Sequence, residues 1–285
     1  CGAEHMKLYN ECSCETVDAE TLKKISLQIL RDFSAFCTEH GIRFCLTQGT
    51  LLGAVRHRGM IPWDDDIDIA VFRPDYDRLI SLADKMPDTC RFVCRETDGD
   101  FPRLYGRACN MRYRVLDKYY SKKYIGYYGI DIFPIEAVPS EDAEFDKFAK
   151  KLKRLRRMFI FSNSALFLGT DFLRAYVVKP PLILFCKAVG TERIYKKFKS
   201  LATSIDYESA SSLAIVTGEY AEHEKFSKEL YEDVTLLDFE GMKMPATKYY
   251  AEYLRQLFGD YLTPPPESER KPHHSFYVFK DGKQQ

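Results

Sequence analysis

The sequence predicts a mixed α/β fold, a core sheet flanked by helices with a helical subdomain added to it, and three observations carry that expectation. Between residues 18 and 38, Leu22, Ile25, Ile29, Phe33 and Phe36 recur at helical spacing. Residues 66–72, DIDIAVF, alternate Asp66 and Asp68 with Ile67, Ile69 and Val71, which is the period of a strand. After Pro139 the composition turns basic and aromatic. Seven Lys or Arg fall between Asp146 and Arg157, while Phe145, Phe148, Leu152, Leu155 and Phe159 recur at three and four, as in an amphipathic helix. With 285 residues, 45% of them hydrophobic, the chain has material for one large core or two modest ones.

Taken in order, Asp18 is placed to cap the first helix and His40-Gly41 to end it. Residues 42–46 read as a buried strand. Gly49-Thr50 then makes a turn and 51–56 supply a turn or two of helix; N–H groups at such a strand-to-helix turn favour a phosphate. Pro62-Trp63 stiffens the approach to the acidic strand, with Trp63, the single tryptophan, read as a core anchor rather than a base-stacking platform. Pro74 opens a helix with Tyr76, Leu79, Ile80 and Ala83 inward. Residues 91–95, 104–109 and 112–116 read as strands, and 129–134, GIDIFP, as another with Asp131 between Ile130 and Ile132. That acid faces either solvent on an edge strand or the same cleft as Asp66 and Asp68, and the cleft is the stronger reading.

Beyond the basic helix, residues 159–168 and 172–189 are apolar but broken by Asp171, Arg174, Lys179 and Pro180-Pro181. No run reaches the roughly 20 residues a bilayer crossing needs. Two readings stay open, a helical subdomain packed on the core or an interfacial element with its cations against anionic headgroups. Residues 208–214 and 216–225 offer a loop and a strand, FEGMKMP a hairpin, and 249–258 a closing amphipathic helix stopped by Gly259. Prolines argue against regular structure in the tail TPPPESERKPHHSF. Its Lys271, His273 and His274 either fold over the cleft as phosphate ligands or proton carriers, or stay solvated. The chain thus divides into a leftover CGAEH at 1–5 before a native start at Met6, a catalytic core at 6–140, a helical insertion at 141–207, and a part at 208–285 that completes core and cleft.

Acidic and basic residues balance at 42 each, so no global field points to nucleic acid. Nine cysteines without paired spacing read as reduced thiols of a cytoplasmic protein; zinc held by Cys12, Cys14 and a distant histidine is the alternative. No secretory leader is read at the start. The chemistry lies in the acids. Two carboxylates side by side on a strand repel unless a cation joins them, and oxygen-only ligands suit Mg²⁺, with Mn²⁺ as a substitute. A nucleotidyltransferase-type site, an Asp-x-Asp sugar-nucleotide glycosyltransferase and a solvated acidic loop are the competing readings. The upstream Gly-Thr turn and the separate Asp131 favour the first.

The run GTLLGAVRHRGMIPWDDDIDIAVF, followed by DYDRL, closely resembles the signature of the LicD family of phosphotransferases. GIDIFP, FEGMKMP with YLRQLFGDY, and the PPPE…HH tail follow in the family's order. The resemblance covers residues 25–276 and is faint over 147–207. It implies a nucleotidyltransferase-like core and a relation to fukutin-type enzymes. It also implies transfer of phosphocholine from CDP-choline, or of another alcohol phosphate such as ribitol phosphate, to a sugar hydroxyl. The acceptor would be a cell-surface glycan precursor, teichoic acid or lipopolysaccharide, and CMP would be released.

Carried over by position, Asp66, Asp68 and Asp131 match the catalytic, metal-binding acids, Asp64 adds an outer ligand, and Gly49 and Thr50 meet the donor phosphates. Arg56 or Arg58 would steady the phosphate oxygens, with His57 beside them; a plain surface turn is the alternative for Arg56 and His57. Asp131 either completes the metal shell or accepts the acceptor's proton. Choline calls for aromatic faces, and Tyr113, Tyr119, Tyr120, Tyr124, Tyr127 and Tyr128 supply either those or an exposed edge. A lipid-linked acceptor would give the basic helix a role at the inner face of the plasma membrane. An NTP-using nucleotidyltransferase and a non-catalytic nucleotide-binding module remain the alternatives.

Overall fold

The computed structural model describes residues 17–117, 126–164, 173–218, 220–270 and 276–280. They adopt the expected mixed α/β arrangement, an open mixed sheet with helices around it. Helix α1 spans Ala19–Glu39, and the Asp18 carboxylate caps it by accepting the Thr21 N–H at 2.9 Å. Ile25, Ile29, Phe33 and Phe36 face the core. The helix stops where the His40 N–H returns to the Phe36 carbonyl and Gly41 takes φ +60°.

Strand β1 (Phe44–Leu46), helix α2 (Gln48–His57), strand β2 (Asp68–Phe72) and helix α3 (Arg73–Leu82) follow. Strands β3 (Arg91–Val93), β4 (Gly106–Asp117) and β5 (Gly126–Val138) widen the sheet. Helices α4 (Asp142–Asn163), α5 (Leu173–Val189) and α6 (Thr191–Ala202) stand together beside it. Then come β6 (Ser212–Ala214), β7 (Phe226–Ser227), the short α7 (Lys228–Glu232), the hairpin β8 (Val234–Phe239) and β9 (Met242–Thr247), α8 (Tyr250–Phe258) and β10 (Phe276–Lys280).

The strand order is β10-β4-β5-β2-β1-β9-β8, with β3 on β4 and β6–β7 joined through β5. The acidic strand β2 is therefore central, antiparallel to β1 and parallel to β5, and all five of its residues are buried. Its register sets Asp68 directly opposite Asp131. The hairpin turns on Glu240 and Gly241, both at positive φ, as a two-residue turn requires. In α4 the buried row is Phe145, Phe148, Leu152, Leu155 and Phe159, the one its periodicity predicts.

Several expectations need correction. Residues 104–109 and 112–116 are not two strands: β4 is continuous, with a register shift between Asn110 and Arg114 that breaks its alternation. Among the described residues of 216–225 there is no strand; the short β6 and β7 flank them. The tail is more regular than its prolines suggest, since Glu267–Glu269 forms a 3₁₀ turn and β10 begins at Phe276, past the last proline, and pairs with β4. Asp66 precedes β2 instead of lying on it, because the β2–β5 ladder starts at Asp68. Cys37, Cys45, Cys90, Cys94, Cys109 and Cys186 are buried free thiols, while Cys12 and Cys14 lie outside the described residues. Among the described residues no helix is long and apolar enough to cross a membrane.

Candidate active site

The acids gather over the first turn of α2. The first intrahelical bond there runs from Leu51 N–H to the Thr47 carbonyl, so the amides of Gly49 and Thr50 precede it at the electropositive end. A Cβ on Gly49 would stand 3.1 Å from Asp64 Oδ2 and 3.8 Å from Asp68 Oδ2. Glycine at this position is what lets the carboxylates approach the helix backbone so closely. The Thr50 side chain has a structural job beside the expected one of its amide. Its buried hydroxyl accepts the Asp68 N–H at 2.7 Å, tying helix to strand, and it is not part of the cavity wall.

Asp64, Asp65 and Asp66 each offer a carboxylate oxygen, and the three oxygens lie within 4.8 Å of one another. Burial first, then the Asp66 charge, pushes the Asp64 carboxyl up to about 8. Burial also raises Asp68 well above the usual range, reinforced by Asp66, Asp131 and Asp64 in that order. Such mutual repulsion is what a divalent cation relieves, and an all-oxygen donor set fits Mg²⁺ or Mn²⁺.

Asp131 differs from its neighbour across the ladder. Burial raises it, yet Arg107 and then Arg103 outweigh that and hold its carboxyl below the usual range. One oxygen is paired with Arg107 and the other accepts the Tyr105 hydroxyl at 2.9 Å, while Arg103 donates to Tyr105 at 2.6 Å. Asp131 does line the cavity with Asp64, Asp66 and Asp68, but both its oxygens already have protein partners.

The cavity holds about 900 Å³. Besides the acids, its wall carries Arg56, Arg103, Arg156 and Arg157. Arg56 donates to the Tyr261 carbonyl at 3.2 Å and lies 5.8 Å from the centroid of the Trp63 ring, which Arg270 approaches to 5.1 Å. Trp63 is half-buried, packed against the main core as expected and also part of the cavity wall. His57 and Arg58 are exposed and outside the wall; His57 accepts from Arg56, and Arg58 ends α2 at φ +55°. The structure therefore does not bring these two to the acids. Lys271, His273 and His274 lie outside the described residues.

The tyrosine run is also elsewhere. Tyr128 is buried against Ser26, Tyr127 lies under Arg114, and Tyr113 is half-buried beside the core, while Tyr119, Tyr120 and Tyr124 lie outside the described residues. The aromatic wall comes instead from Trp63, Tyr105, Phe133, Phe159, Tyr220, Phe258 and Tyr261.

Sequence reasoning passed over a second layer. Gln48, at φ +45° and lining the cavity, donates its side-chain amide to both oxygens of Glu224 at 3.2 Å. Glu224 is fully buried and also accepts the Tyr253 hydroxyl, which in turn meets Thr47 Oγ1 at 2.7 Å. Burial lifts the Glu224 carboxyl to about 8 against the lowering effect of these bonds. Arg103, Tyr105 and Arg107 did carry a signal, a period of two in RLYGR beside the acidic strands.

The family described as LicD/FKTN/FKRP, nucleotidyltransferase domain, matches residues 41–167. The chain is 29% identical over 258 residues to the lipopolysaccharide cholinephosphotransferase LicD of Haemophilus influenzae, covering 88% of this chain and 93% of that protein. Shorter stretches are similar to two mouse proteins. The ribitol-5-phosphate transferase FKTN is 37% identical over 68 residues, 24% of this chain and 15% of that protein. The ribitol 5-phosphate transferase FKRP is 38% identical over 69 residues, 22% and 14% respectively. The matched region contains the acids, the α2 turn and the Arg103–Asp131 cluster, so the chain is similar to the LicD family over the part that builds the site.

Proposed function

We propose that this chain is a divalent-cation-dependent phosphotransferase that moves phosphocholine from CDP-choline to a sugar hydroxyl of a cell-surface glycan precursor and releases CMP. The observation that carries the reading is the crowding of Asp64, Asp66 and Asp68 over the α2 N-terminus, inside a cavity whose wall also bears four arginines. Asp64, Asp65, Asp66 and Asp68 would hold Mg²⁺ or Mn²⁺, which when bound supplies charge neutralisation for a diphosphate. Gly49 offers its backbone to the phosphate oxygens, and Arg56, Arg156 and Arg157 face them from the wall. The acceptor oxygen attacks the choline-bearing phosphorus as the bond to CMP breaks, its proton passing to a carboxylate of the cluster. Asp131, held ionised and bonded twice, positions Tyr105 and Arg103 at the wall.

Phosphocholine is favoured by the wall itself, since a quaternary ammonium is recognised by aromatic faces near an acid. Tyr220, Phe258, Tyr261 and Asp260 line one side of the cavity. Lipopolysaccharide and teichoic acid precursors are the acceptor classes in view, with ribitol phosphate as the other cargo, after the FKTN and FKRP relatives. Labelled CDP-choline, CDP-ribitol and NTPs, each with Mg²⁺ or chelator, test the reading. CMP release from CDP-choline that chelator abolishes is expected. Pyrophosphate release from an NTP would replace it with nucleotidyl transfer, and binding without turnover of any donor would leave a nucleotide-binding module.

A further inference from the structure

Helix α5 is apolar on two opposite sides. Ile183 and Cys186 are buried, Cys186 packing with Phe159 of α4 and with Ile194 and Tyr195 of α6. Opposite them Pro181, Leu184, Phe185 and Ala188 follow the spacing i, i+3, i+4, i+7, and all four are exposed, Leu184 by 55% and Phe185 by 58%. The outward face of a surface helix is ordinarily polar. This one is not.

The neighbouring helix supplies the charge. Lys147, Lys150, Arg154 and Arg157 lie at i, i+3, i+7 and i+10 along the exposed side of α4, opposite its buried phenylalanines and leucines. Among the described residues none of the four makes an ion pair, although the chain as a whole balances its charges. The stripe ends at the cavity, whose wall includes Arg157 and Ile160, the latter 47% exposed.

We infer that α4 and α5 together form a docking surface for an anionic bilayer, with Leu184 and Phe185 entering the acyl boundary and the basic stripe lying against headgroup phosphates. Charge decides the occupant. A second copy of the chain would set like-charged stripes near one another, an apolar protein would leave Lys147, Lys150 and Arg154 unmatched, and a nucleic acid would leave Leu184 and Phe185 in water. The consequence for catalysis rests on the proposed transfer: docking brings the cavity to a lipid-linked acceptor. The docking itself does not depend on that reading.

Co-sedimentation of the full chain with phosphatidylcholine vesicles, with and without phosphatidylglycerol, tests the inference. Binding is expected to vesicles containing phosphatidylglycerol, to weaken in high salt, and to fall about tenfold or more on neutral vesicles. The double variant Leu184→Ser/Phe185→Ser should lose binding by a similar factor, as should Lys150→Glu/Arg154→Glu. Each should keep its thermal melting and its CMP release with a water-soluble acceptor. No pelleting at low salt, or binding indifferent to both variants, overturns the inference. So does a dimer on gel filtration that the Leu184/Phe185 variant dissociates. If no donor is turned over while vesicle binding holds, the transferase reading falls and the docking surface stands.

Discussion

Asp68 and Asp131 are register partners on adjacent strands, yet they sit at opposite ends of carboxylate acidity. Burial raises both. Arg107 and Arg103 reverse it for Asp131, whereas the charges that act most on Asp68 are further carboxylates. Asparagine at position 68 therefore keeps the neutral form that burial and its neighbours favour, without stranding a partner. Asp68→Asn should cut turnover by about a hundredfold or more if the acid helps hold the cation, while leaving the melting temperature of the metal-free protein unchanged or higher. Near-normal turnover would remove Asp68 from the site. Glu224 makes a different prediction. Its carboxyl titrates near 8 in the fold against an ordinary 4.5, so between those values the folded state keeps a proton that the unfolded chain has released. Stability from this group is full below the lower value and is lost as pH rises toward the upper one. From pH 5 to pH 7 Glu224 by itself should cost the metal-free protein about 2–3 kcal/mol in urea unfolding, added to a loss of the same sign from Asp64 and Asp68, and Glu224→Gln should make the slope shallower by about that amount.

At the scale of elements, α2 is held against the chain that follows it at one point of closest approach. A Cβ on Gly53 would stand 2.5 Å from the Gly59 carbonyl oxygen and 3.3 Å from Ile61 N, both backbone atoms. Neither can rotate away as a side chain would. Gly53→Ala should cost about 1–3 kcal/mol in chemical denaturation; a stability equal to that of the parent would mean that the loop yields freely. Sequence periodicity found α1, α3, α4 and α8, each buried on one side, because a single buried stripe imprints its spacing on the chain. Strand β4 reads as two because its register slips between Asn110 and Arg114. β6 and β7, three and two residues long, are too short for any period to show. The acids were legible because their alternation with Ile67 and Ile69 ties them to a strand that borders the core, where a solvated acidic run would have no apolar partners. Glu224 was not. Nothing in EHEKF marks which acid will be buried, and its partners Gln48 and Tyr253 stand 176 and 29 residues away in the chain.

Across the whole molecule, the cavity takes its acids from the β2 approach, its arginines from α2, from the segment before β4 and from α4, and its aromatics from as far as Tyr261. A ligand that bridges these parts should stabilise the fold as a unit, and the acid cluster makes a divalent cation the simplest such ligand. Binding one must displace the protons that burial and repulsion keep on Asp64 and Asp68, so affinity should rise with pH. A cation present at 100 times its dissociation constant adds about 2.7 kcal/mol to stability. Mg²⁺ or Mn²⁺ should accordingly raise the melting temperature by several degrees at pH 8 and by less at pH 6, with chelator reversing both shifts. Asp66→Asn, which removes one ligand of the cluster, should reduce the shift at pH 8. The pH ordering separates a site from general ionic strength, because screening by salt acts on exposed charges and needs no release of protons. Equal melting with cation and with chelator at pH 8 would leave the carboxylates without the ion that explains their crowding, and the proposed phosphate transfer would lose its physical basis.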